Sequence, residues 1–143
     1  MLNTNSVREL RLEIDITEFI FTINRLKVQR VDVLENIKRL KKQLIREKRK
    51  LTRKVKNSNN SIKNLEKIQK IENKIENIYT DYMNQCISMV MKSNPTSVVI
   101  IENSRSHPQK YDEFVTKIKV RCRIHGIEFK TVKHTLEIGE NYK

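Results

Sequence analysis

Apolar and polar positions alternate along Leu10–Ile23, with Leu10, Leu12, Ile14 and Ile16 in one series and Phe19, Phe21 and Ile23 in the next. A period of two is the pattern of a half-buried strand. The register slips between Ile16 and Phe19, which predicts two strands turning back on each other at Thr17 and Glu18 as an antiparallel hairpin. Leu26–Val31 reads as a short third strand.

From Asp32 to Lys56 the period changes. Val33, Ile37, Leu40, Leu44, Leu51 and Val55 recur at steps near three and four or their sums, with charged residues between them. That is the pattern of an amphipathic helix. Residues 57–61, Asn-Ser-Asn-Asn-Ser, interrupt it with side chains that favour turns and caps. A second series then runs Ile62, Leu65, Ile68, Ile71, Ile75, Ile78, Tyr82, Cys86 and Val90. The two series predict a long antiparallel helical hairpin, coiled-coil-like in its spacing. Asn94-Pro95 ends the second helix, because proline biases the residue before it away from helix.

Ser97–Ile101 is a continuous β-branched run, as expected of a strand buried on both faces, with Glu102 at its end. A helix from Pro108 to Arg123 places Tyr111, Phe114, Val115, Ile118 and Cys122 on one face. His125-Gly126 closes it, and Ile127–Val132 alternates as one more strand. The predicted class is α/β, with the helical hairpin inserted into a sheet.

Charge changes this picture from a fold to a function. Thirty Lys and Arg stand against 17 Asp and Glu, a net +13 on 143 residues. Such an excess makes a polyanion the expected partner, with nucleic acid first. Most of it is local. Between Arg25 and Lys56 fourteen basic residues face only Asp32, Glu35 and Glu47, whereas residues 62–94 hold five lysines against four acids. The candidate phosphate-binding residues are Lys38, Arg39, Lys41, Lys42, Arg46, Lys48, Arg49, Lys50, Arg53, Lys54 and Lys56. A merely solvated face is the alternative, but like charges at i,i+4 destabilise a helix unless a counter-charge arrives. Few aromatics accompany them, so phosphate contact is favoured over base stacking.

No run approaches 18 apolar residues and the N-terminus lacks the apolar core of a signal peptide, so an intracellular, cytoplasmic protein without a membrane partner is expected. Cys86 and Cys122 form no C-x-x-C pair and no zinc is expected. They read as reduced, partly buried thiols. His107, His125 and His134 fit no catalytic or ligand spacing. Asp15, between Ile14 and Ile16, projects to the face opposite those side chains.

The order of these segments resembles the middle portion of TnpB-like (OrfB-type) insertion-sequence transposases, RNA-guided DNA endonucleases related to type V CRISPR effectors. The residues that carry the likeness are Leu12-Glu13-Ile14-Asp15-Ile16, the basic stretch from Lys54-Val55-Lys56 into the Asn/Ser turn, Ile75–Tyr82 and Val98-Val99-Ile100-Ile101-Glu102. Tyr111–Val132 is similar to the helix and strand that follow, so the likeness covers roughly residues 10–133.

The resemblance implies a partial RNase H-like (RuvC) sheet in a single truncated domain. Residues 10–31 would hold the first acidic motif, 32–94 the basic hairpin, 95–134 the second acidic motif and 135–143 a tail. It implies Asp15 and Glu102 as metal and catalytic carboxylates for Mg²⁺, and DNA with a guide RNA as partners. Glu13 and Thr17 stand where the family has glycines, Asn103 where it has an acid, and the family's third aspartate and zinc ribbon are not found in this sequence. The expected activity is therefore nucleic-acid binding with little cleavage. Two other readings stay open: an independent basic DNA- or RNA-binding protein without metal chemistry, and a helical-hairpin interaction module.

Overall fold

A computed structural model describes residues 8–56, 58–102 and 108–133. The element order is β1 (Glu9–Asp15), β2 (Ile20–Ile23), β3 (Leu26–Gln29), α1 (Val31–Thr52), α2 (Asn59–Lys92), β4 (Ser97–Glu102), α3 (Pro108–Ile124) and β5 (Glu128–Lys133). The chain divides into two compact units, the sheet unit of Met1–Arg30 with Met83–Lys143, and the hairpin unit Val31–Tyr82.

The sheet unit holds five strands in the order β3-β2-β1-β4-β5. β1, β2 and β3 form an antiparallel meander, while β4 pairs parallel to β1 and β5 parallel to β4. Alternation decides what β1 buries: Leu10, Leu12 and Ile14 are inside, and Arg11, Glu13 and Asp15 take the opposite face. Ile14 pairs with Phe21 across the ladder. The Phe21 ring meets Phe114 of α3 edge to face, with centroids 6.2 Å apart, so α3 packs on that same face. Val98, Val99 and Ile100 of β4 are all buried, as a central parallel strand requires.

The predicted turn at Thr17 and Glu18 is present. Asp15 Oδ1 accepts the Glu18 N–H at 3.2 Å, and Phe19 takes a positive φ of 54° with its ring fully buried. Asn24 and Arg25, both at positive φ, make the two-residue turn into β3. α3 ends in a Schellman motif: Gly126, at φ 69°, donates to Arg123 and Ile127 donates to the Cys122 carbonyl at 2.8 Å.

In the hairpin unit, Ser58 caps α2 by accepting the Ser61 N–H on its Oγ at 3.1 Å. Two sequence expectations are corrected here. α1 stops at Thr52 rather than continuing to Lys56, because Arg53 and Lys54 bond back three residues instead of four; Val55 lies beyond the helix and is 77% exposed. Ile62 and Leu65, expected inside, are about half exposed, and Ser61 and Asn64 are buried in their place. The core of α1 is Leu34, Ile37 and Leu40. Asn57, Asn103, His107, His134 and the tail lie outside the described residues.

Candidate nucleic-acid interface

The basic residues of α1 divide by what they touch. Lys41 Nζ donates to the Tyr79 hydroxyl at 3.2 Å and lies 5.7 Å from that ring's centroid. Lys48 pairs with Glu72 at 3.6 Å and Lys50 with Glu47 at 3.2 Å. These three are tied into the hairpin. Lys38, Lys42, Arg46, Arg49 and Arg53 are exposed and make no ion pair with another described residue. At 100° per residue, Lys38, Lys42 and Arg49 fall within roughly 40° of arc, turned away from the side that buries Ile37 and Leu40, with Leu34 at its edge and Arg53 just past the helix end. Arg46 borders them. Lys54 and Lys56 extend the charge past the helix end, while Arg39 donates to Asn36 and keeps its charge on the surface.

Glu47 was not singled out by sequence. It is 7% exposed, covered by neighbouring side chains rather than deeply interior, and accepts from Lys50 on Oε2 and from Asn64 Nδ2 on Oε1 at 2.8 Å. The Lys50 hydrogen bond, opposed by burial and helped by the charges of Lys50 and Lys67 and by the Asn64 bond, holds its carboxyl below the ordinary 4.5. The signal available was a solitary acid inside a cationic run, which needs a partner or a solvated site. A lowered folded-state pKa contributes stability that is complete above the unfolded value and disappears as pH falls through the folded one. The wild-type hairpin should therefore lose its stability advantage over Glu47→Gln as pH drops below 4.5, read by helix content against denaturant. An advantage that stays constant across that range would show that the Glu47 charge does not hold the hairpin.

Asp15 and Glu102 end neighbouring parallel strands, as the sequence led one to expect. The ladder separates their side chains. Leu10 registers with Val98 and Leu12 with Ile100, so Glu102 belongs to the face of Leu12 and Ile100, whereas Asp15 belongs to that of Arg11 and Glu13. Asp15 also serves the β1–β2 turn. Paired Mg²⁺ ions need several oxygens converging on ions about 4 Å apart. Two carboxylates on opposite faces do not meet that need, and no group of three or more His, Cys, Asp or Glu gathers among the described residues.

The two cysteines are buried and unpaired in a disulfide. Burial pushes the Cys122 thiol up to about 11, which keeps it protonated and unreactive at neutral pH. No helix among the described residues is long and apolar enough to cross a membrane. The chain matches no protein-family model and none of the curated proteins with which it was compared.

Proposed function

We propose that this protein binds nucleic acid through the phosphate backbone, using the outer face of α1, and that it does so on an RNase H-like sheet akin to that of TnpB-like proteins. The observation that carries the binding is the set of five exposed cations, Lys38, Lys42, Arg46, Arg49 and Arg53, that no described acid neutralises. An α-helix with such a surface repels itself at i,i+4, and a phosphate chain removes that penalty while releasing its own counterions. The kinship rests on topology. An antiparallel meander on one side of a central β1, and parallel strands reached through helices on the other, is the arrangement that reading requires. The carboxylates do not support cleavage, so binding is the activity the geometry favours, and DNA with an RNA guide is the partner class the resemblance suggests.

Titration of a labelled DNA duplex against salt tests this. Five phosphate contacts from these cations alone give a log–log slope of affinity against salt of about −4.5, so a slope at least that steep is expected. Absence of binding at low salt sinks the proposal. Association with another protein that persists at high salt, with no affinity for DNA, would instead identify an interaction module held by apolar contact.

A further inference from the structure

From the hairpin geometry we propose that the nucleic-acid surface includes α2: Lys63, Lys67, Lys70 and Lys74 form a second cationic row beside Arg39, Arg46 and Lys50 of α1, and the two rows together grip a DNA duplex. The inference rests on the proposed binding function and extends it to a helix whose near-neutral composition hides its asymmetry.

Lys63, Lys67, Lys70 and Lys74 are spaced i, i+4, i+7 and i+11, which confines them to roughly 60° of the helix surface. All four are exposed. Of the acids of α2, Glu72 and Glu76 lie well over 100° from the middle of the row, Glu66 borders it, and Asp81 shares its azimuth about two turns beyond Lys74. In α1, Arg39, Gln43, Arg46 and Lys50 repeat the same four spacings, three of them cationic.

Contacts across the hairpin fix which sides adjoin. Glu47 of α1 receives Lys50 and Asn64, and the Lys67 charge also acts on it, so Lys50 and Lys67 flank one carboxylate from opposite helices. Lys48 meets Glu72 at 3.6 Å. Lys48 and Lys50 stand about 200° apart on α1, so that ion pair marks the other side of the hairpin. The half-exposed Ile45, Ile62 and Leu65 lie toward that second side by the same helical arithmetic. One side is therefore cationic on both helices, and the other mixes apolar residues with the Lys48–Glu72 pair and with Lys41, which is held at the Tyr79 ring and hydroxyl.

Each row is about 16 Å long at 1.5 Å per residue. A duplex presents about ten phosphate charges over that length, more than enough to engage the six cations of these rows other than Lys50, which Glu47 holds. Glu47, the acid between the rows, is already held by Lys50 and Asn64 and stays under them.

The test is duplex affinity against salt for the full chain and for Lys63→Gln, Lys67→Gln, Lys70→Gln and Lys74→Gln combined. The combined variant is expected to bind at least about tenfold more weakly near physiological salt, with a slope flatter by roughly 3.6. The four-arginine version, which keeps charge and helix propensity, is expected to restore both, separating lost charge from lost fold. Lys119→Gln with Lys130→Gln, on α3 and β5, should change neither. If wild type binds duplex and the glutamine variant binds it equally well, α2 is not part of the surface and only this inference fails; if wild type does not bind duplex, the functional reading fails first. Anionic vesicle binding that the glutamine variant loses, alongside unchanged duplex affinity, would overturn the assignment of DNA as occupant.

Discussion

Glutamine at Lys38, Lys42, Arg46, Arg49 and Arg53 together is expected to weaken duplex binding about a thousandfold at physiological ionic strength. Each cation seated on a phosphate releases a counterion and adds about 0.9 to the salt slope, so five of them account for about 4.5. The loss should fade at low salt and grow as salt rises. None of the five makes an ion pair with another described residue, so their removal breaks no bridge among the described residues. It also relieves the i,i+4 repulsions of Lys38 with Lys42 and Lys42 with Arg46, each a few tenths of a kcal/mol. The variant should thus be at least as helical as wild type, and circular dichroism alongside the binding curve checks this. Full binding by a folded variant would remove α1 from the interface.

The strands were legible because burial on one face forces a period of two, and the register slip at Thr17 and Glu18 showed where the chain reverses. Helix ends were legible where a side chain or backbone conformation forces them. Ser58 caps α2, and Asn94 takes φ 52° just before Pro95. The inner face of the hairpin near its turn was not legible. An apolar count places Ile62 and Leu65 inside, but Glu47, Asn64 and Ser61 occupy that position because a hydrogen-bonded carboxylate with a nearby lysine can be covered without remaining unsatisfied. Periodicity reports average facing and is blind to such local rotation.

The same division holds for the site. A basic run is visible in composition, yet composition does not tell Lys41, Lys48 and Lys50, each engaged with α2 or with Glu47, from Lys38 and Lys42, which are not. Nor does it show that a helix with nearly balanced charge segregates its lysines to one side. For the carboxylates, sequence placed Asp15 and Glu102 at strand ends, and the two strands are parallel neighbours. Which face each occupies depends on interstrand register, and one residue of register decides it. Alternation from that register assigns them to opposite faces.

Phe114→Ala is expected to remove about 3–5 kcal/mol from the stability of the sheet unit. Phe114 is fully buried on α3 and meets Phe21 edge to face, and Phe21 in turn sits opposite Ile14 on β1. The ring thus links α3 to the β1–β2 part of the sheet, while Ile118 and Cys122 continue the buried face of the same helix. Truncation forfeits the transfer energy of the ring, leaves a cavity that rigid strands cannot close, and deletes an aromatic pair worth a further fraction of a kcal/mol to somewhat above one. For a marginally stable domain this is a large part of the total. Denaturant unfolding of the full chain measures it, and Phe114→Leu, which refills most of the volume, should recover much of the loss. A change below about 1 kcal/mol for Phe114→Ala would mean that α3 is not anchored to β2 through this ring, and that the sheet holds together without the layer it provides.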